Sequence, residues 1–159
     1  MVSGFCAFSG HRDIPAEAVE PLRRLLRKRI AALAAEGTSG FLCGGAMGFD
    51  TLAAEMVLEA RSRFPGVTLT LALPCPEQAD RWPERAKRRY REILTAADEV
   101  IYVSEHYTRY CMMQRNRYLV DHAAVLVCYL TKPTGGTAAT VKYALQQAVP
   151  VVNLAMETE

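Results

Sequence analysis

Apolar residues along this chain come in two kinds of run, and the two kinds take turns. Short, nearly unbroken apolar blocks at 4–8, 40–43, 67–73, 99–103, 124–130 and 149–154 have the length and composition of buried strands. Between them the apolar positions spread out to helical spacing. Over 22–35, Leu22, Leu25, Leu26, Ile30, Leu33 and Ala34 share one side, while Arg23, Arg24, Arg27, Lys28 and Arg29 crowd the others. The same spacing predicts helices over 51–63, opened by Asp50, over 85–97, over 112–122, and from Gly136 or Thr137 to 148. Glycines and prolines punctuate the runs. Pro15 and Pro21 bracket the entry to the first helix, Gly37 ends it, Pro65-Gly66 closes the second, and Pro74-Cys75-Pro76 stops the third strand. Strands alternating with helices, with no turn of hairpin length, predict an α/β fold with a mainly parallel sheet. Right-handed crossovers then place every strand-to-helix loop on one edge of that sheet.

At 159 residues the chain is expected to form a single domain over 1–159. Its hydrophobic share of 50% and charged share of 23% exclude a mainly disordered polymer. A formal charge of +2 is too small to imply a nucleic-acid partner. The basic runs 23–29 and 85–91 are interleaved with Glu20, Glu84 and Glu92, as on solvated helix faces. No basic leader precedes a long apolar segment and no run approaches membrane-spanning length, so a cytoplasmic protein without a membrane partner is expected. Five cysteines, Cys6, Cys43, Cys75, Cys111 and Cys128, are widely spread and never form a C-x-x-C pair, which fits reduced, structural thiols and no metal site. Cys75 and Cys111 fall in or beside loops where a pocket wall is an open alternative. The apolar helix faces leave homo-oligomerisation open.

Ligands of open α/β sheets bind at the carboxyl ends of the strands, and the chemically distinctive residues gather there. Gly44, Gly45, Met47, Gly48 and Asp50 form a strand-to-helix turn. Gly135, Gly136 and Thr137 form a second. Such turns offer free N–H groups to an anion, and two on one edge would hold a phosphate and sugar from two sides. Ser9, Gly10, His11 and Arg12 follow the first strand, where an arginine would bind phosphate through two parallel hydrogen bonds. Arg115 and Asn116 begin the fourth helix; Arg117 lies roughly 200° around from Arg115, so only one of the two arginines faces a given ligand. Trp82 and Tyr107 are loop aromatics able to stack on a base. Asp50 is placed to hold a ribose hydroxyl or cap its helix, and Glu55 to act as an acid or base if it points to the cleft. Asp121 and His122 read as polar residues ending a helix.

The order of these segments resembles the YpsA-like branch of the SLOG superfamily, which takes its name from the SMF/DprA and LOG proteins. The resemblance rests on Phe8 to Arg12, Gly44 to Asp50 with Ala53-Ala54-Glu55, Pro74 with Trp82, Ala97-Asp98 with Tyr102-Val103-Ser104, Arg115 to Tyr118 with Val120-Asp121-His122, and Gly135-Gly136-Thr137 with Val141 to Ala144. It implies a Rossmann-like three-layer sandwich that binds a nucleotide or a nucleotide derivative of the ADP-ribose kind at its glycine loops. LOG enzymes, more distant relatives, cleave the base from a nucleoside 5′-monophosphate with a helical Arg, matched here by Arg115, and a Glu just after their second Gly-Thr motif. Here Ala138, Ala139 and Thr140 follow Thr137, and the acid is missing. The catalytic candidates left are Glu55, Asp50 and Arg115, and the expectation is a nucleotide-binding sensor or regulatory module without strong catalysis. An N-glycosidic hydrolase and a single-strand nucleic-acid binder are the alternatives, and no cofactor beyond the nucleotide-like ligand is expected.

Overall fold

The computed structural model describes residues 4–158; Met1 to Ser3 and Glu159, which the 1–159 domain includes, lie outside the described residues. Six strands, β1 (Phe5–Gly10), β2 (Gly40–Cys43), β3 (Thr68–Leu73), β4 (Glu99–Tyr102), β5 (Ala123–Tyr129) and β6 (Val151–Asn153), alternate with five helices. The helices are α1 (Ala16–Ala35), α2 (Phe49–Ala60), α3 (Glu84–Ala96), α4 (Cys111–Asp121) and α5 (Gly136–Gln146), and a 3-10 turn, Leu154–Met156, follows β6. The strands pair in the order β4-β3-β2-β1-β5-β6, every pair parallel. This is a Rossmann-like three-layer α/β sandwich, with α1, α2 and α3 on one face and α4 and α5 on the other.

The chain steps outward from β1 to β4, crosses the sheet through α4, and resumes beside β1 with β5. The direction of winding reverses between β1 and β5, and at that seam neighbouring loops diverge and leave a crevice. The larger core lies under α1 to α3 around Phe8, Phe41 and Phe49, with Phe8 and Phe41 stacked at 6.1 Å between ring centroids. Phe49 also stacks on Tyr129 at 6.2 Å, tying the start of α2 to the end of β5. Ala7, Leu42, Ala72, Leu119, Val120, Leu126 and Ala144 form the smaller core beneath α4 and α5.

Several boundaries differ from the sequence pattern for local reasons. The first helix starts at Ala16 and runs through Pro21, its sixth residue, where the proline ring leaves the Glu17 carbonyl without its usual i+4 donor. The second helix ends at Ala60 rather than at 63: Arg61, Ser62 and Arg63 donate to carbonyls three residues back, tightening the end into turns before Pro65. The last strand shrinks to Val151–Asn153 because the Asn153 side chain takes over. Its Oδ1 accepts from the N–H groups of Leu130 and Ala155, and its Nδ2 donates to the Leu130 carbonyl. All five cysteines are buried and unpaired, Cys75 and Cys111 included. Burial pushes the Cys43 thiol well up and the Cys128 thiol to about 11, so these are unreactive hydrophobes.

Candidate functional site

At the β1–β5 seam a cleft of about 300 Å³ is walled by Ser9 and Gly10 at the end of β1, His11 and Arg12 after it, Asn116 and its neighbours on α4, and Gly136 and Thr137 at the start of α5. Met112, Arg115, Asn116 and Leu119, all cleft residues, sit at helical positions i, i+3, i+4 and i+7 of α4. Only Arg115 and Asn116 of that stripe stand out as polar chemistry in the sequence; counting one helical turn in each direction from them finds Met112 and Leu119. Ala46, which also lines the cleft, carries no such signal.

The two glycine turns play different parts. The α5 turn is open: Gly135 has a φ of +102°, nothing lies within 4 Å of where a side chain would start on it, and no side chain caps the helix. The first N–H groups of α5 therefore face the cleft with the helix dipole behind them. The α2 turn is filled from inside. The Phe49 N–H donates to the His11 carbonyl at 3.0 Å. Gly44 lies against Arg115 and Asp50, Gly45 against Leu73, and Gly48 against the backbone of His11 and Arg12. Gly44, Gly45 and Gly48 let parts of the protein approach one another and do not line the cleft. Met47 turns toward a neighbouring hollow of about 590 Å³ shared with Arg12, Trp82 and Tyr107. Trp82 is nearly buried and meets Tyr90 edge-on at 5.1 Å, so it anchors its loop on α3 as well as lining that hollow. Tyr107 is exposed.

Under the α2 turn lie two buried groups of opposite charge, Arg115 and Asp50, without a direct ion-pair contact. Arg115 is 5% exposed and donates through Nη1 to the Gly44 carbonyl and through Nε to Asn116 Oδ1 at 2.8 Å. Asp50, also 5% exposed, accepts from the Ala46 N–H at 3.2 Å, and its Oδ1 lacks a hydrogen-bond partner. Burial pushes the Asp50 carboxyl up to about 6, against the opposing pull of the Arg115 guanidinium and the Ala46 N–H. Burial likewise lowers the Arg115 pKa, while Asp50 raises it. His11 closes the other side: its Nε2 accepts from the Thr131 N–H at 2.9 Å, bridging the loops after β1 and β5. That bond needs the neutral ring, which burial and then the Lys132 charge favour.

Glu55 does not reach the cleft. It lies between helices on the far face, 2.7 Å from Arg89 Nη2 and 3.5 Å from Arg23 Nη1. Glu59, one turn on, pairs with Arg27 at 2.7 Å. Asp121 accepts from the Tyr143 hydroxyl, and His122 Nδ1 meets the Tyr118 carbonyl, as expected of residues closing a helix. The described residues hold no cluster suited to a metal ion, and none of their helices is long and apolar enough to cross a membrane.

Asp50 predicts a pH signature. Between its ordinary pKa of 3.8 and about 6 the native state holds a proton that the unfolded chain has lost, so this group's contribution to stability falls as pH rises across that window. Urea unfolding of the wild type minus that of Asp50→Asn, measured from pH 4 to 7, is expected to fall through the window and level off above it. A flat difference curve would show that Asp50 titrates normally.

Comparison with known proteins gives a consistent picture. A family model, YpsA, described as the YspA SLOG family, matches residues 5–158. A UPF0398 protein of Halalkalibacterium halodurans is 32% identical over 111 residues, covering 68% of this chain and 59% of its own length. Among solved structures, DNA processing protein A from Helicobacter pylori superimposes with a TM-score of 0.65 at 20% identity, over 92% of this chain and 63% of that one. The molybdenum cofactor carrier protein from Chlamydomonas reinhardtii does so with a TM-score of 0.62 at 24% identity, over 97% and 77%. At these identities the two structures share the fold.

Proposed function

This chain belongs to the YpsA family of SLOG proteins, and from that premise we propose that it binds a nucleotide or a nucleotide derivative in the β1–β5 cleft as a sensor or regulatory module. The observation that carries the reading is the uncapped N-terminus of α5, opening into a cleft that also holds Arg12, Ser9, Asn116 and Thr137. A phosphate over Gly136 and Thr137 meets helix N–H groups, a hydroxyl and a guanidinium together. The hollow beside Trp82 and Tyr107, continuous with the cleft at Arg12, offers aromatic surface to a base.

Little in the cleft supports strong catalysis. Asp50 is its single carboxylate among the described lining residues, and it is committed to Ala46 and to the charge of Arg115. Thr140, one of the residues after the Gly-Thr step, donates its hydroxyl back to the Gly136 carbonyl at 2.8 Å. Incubation with nucleoside monophosphates or NAD is expected to release no free base on chromatography. DNA processing protein A, whose single-stranded DNA binding mode has been described, suggests a nucleic-acid alternative. On the basic helices α1 and α3, Arg23, Arg27 and Arg89 are held by Glu55 and Glu59, which leaves fewer cations there for a phosphate backbone.

The test is thermal unfolding with AMP and with ADP-ribose. At about a hundred times Kd, ligand is expected to stabilise the wild type by about 2.7 kcal/mol. Gly136→Asp combined with Arg12→Ala puts a carboxylate where the phosphate sits and removes its cation, at two exposed positions, and is expected to abolish the shift. An equal shift in this variant would place the ligand elsewhere. Gly45→Asp is unsuitable, since a side chain there starts 2.4 Å from Leu73 and disrupts the core.

A further inference from the structure

A third hollow, about 580 Å³, opens off the cleft between α4 and α5 and shares Met112, Asn116 and Gly136 with it. The two hollows flanking the cleft differ in charge. Glu77 and Asp80 accompany Arg12 and Arg81 on the Trp82 side, whereas Arg109, Arg117 and Lys142 line the α4–α5 side with no carboxylate among its lining residues. None of these three cations forms an ion pair among the described residues. The Arg117 guanidinium instead lies 5.0 Å over the Tyr143 ring, which the Tyr143 hydroxyl fixes by donating to Asp121 at 2.7 Å. On the opposite face Arg23, Arg27 and Arg89 are neutralised by Glu55 and Glu59, while Arg109, Arg117 and Lys142 beside the cleft keep their charge available.

We propose that the α4–α5 hollow is a second anion subsite, and that the protein's ligand is a nucleotide carrying negative charge beyond its first phosphate. This rests on the placement of a nucleotide in the β1–β5 cleft. The base lies toward Trp82 and Tyr107, where Glu77 and Gln78 can accept from exocyclic amino groups. The first phosphate lies over the start of α5. The chain then continues past Asn116 and Gly136 toward Arg117 and Lys142, whose charge attracts an anionic extension, repels a cationic one and gains nothing from a neutral one. The volume suits more than one phosphate, so a phosphate-linked sugar is accommodated along with a polyphosphate.

Calorimetric titration of the whole chain with AMP, ATP and ADP-ribose, repeated on Arg117→Ala/Lys142→Ala, tests the subsite. Both positions are exposed, and an unchanged melting temperature confirms that the variant folds. ATP, ADP-ribose or both are expected to bind at least about tenfold tighter than AMP, with the gain shrinking as salt rises. The double variant is expected to lose that gain and keep its AMP affinity. A gain with ATP alone assigns the subsite to a polyphosphate, and one with ADP-ribose alone to a phosphate-linked sugar. If AMP binds and neither longer ligand gains, or the gain survives in the variant, the second subsite is overturned and the cleft stands. Absence of binding by all three overturns both.

Discussion

Arg115→Ala is expected to lower the free energy of unfolding by about 2–4 kcal/mol, the cost of leaving buried hydrogen-bond acceptors unsatisfied beside a buried carboxylate. The substitution removes a guanidinium that satisfies the Gly44 carbonyl and Asn116 Oδ1 and whose charge faces Asp50 across the α2 turn. It leaves a carboxylate and a carbonyl buried with their counterpart gone. Asp50 should answer by taking up its proton at still higher pH, since the charge that holds its pKa down is lost. Arg115→Lys keeps a charge but cannot present the planar fork that reaches both Gly44 and Asn116, and a loss of about 1–3 kcal/mol is expected. Chemical denaturation of the three proteins measures the series. Wild-type stability in Arg115→Ala would show that Arg115 is free to serve a ligand and is not a strut.

Gly48→Ala is expected to cost about 3 kcal/mol or more, combining strain at an unfavourable backbone angle with overpacking. Gly48 has a φ of +76°, and a methyl group on it starts 2.2 Å from the Arg12 carbonyl oxygen and 2.6 Å from that of His11. These neighbours are backbone, so relief requires the loop after β1 to move, and with it the Phe49 N–H bond to His11. Arg12 travels with that loop, so nucleotide affinity should fall together with stability. Gly66→Ala, with nothing within 4 Å and an ordinary backbone angle, is the matched control and is expected to stay within about 0.5 kcal/mol of wild type.

Both substitutions concern the turn that looks most like a phosphate loop in the sequence. Alternation of apolar runs made the strands and helices legible, because burial on both sides of a parallel sheet forces continuous apolar blocks while helices need only a stripe. The shared edge of the loops followed from crossover handedness. The division of labour between two glycine-bearing turns did not, since glycine marks close approach without saying to what. Gly136 opens onto the cleft and Gly135 onto the hollow beside it, whereas Gly44, Gly45 and Gly48 make room for Arg115, Leu73 and the loop after β1. Arg115 was readable as an arginine near the site but not as a buried one, because its partners, Gly44 and Asp50, are distant in sequence. Glu55 illustrates the converse. Its neighbour one turn on, Glu59, and the arginines at Arg23, Arg27 and Arg89 describe a face of α2 committed to interhelical ion pairs.

The strand order carries a consequence for how the chain comes together. β1 finds β2 early, but its other neighbour is β5, so its register from Cys6↔Val125 to Gly10↔Tyr129 joins residues more than a hundred positions apart. Until β5 has been synthesised, the nascent sheet of β1 to β4 leaves β1 as an open edge whose unpaired amides and carbonyls invite a foreign strand. The segment that will carry Ser9 to Arg12 is then, like β4 at the far side, an exposed edge of the emerging sheet. Contacts of such long sequence separation form late and slowly, which makes β1–β5 zippering the step at which folding completes. The walls of the cleft meet at that same moment.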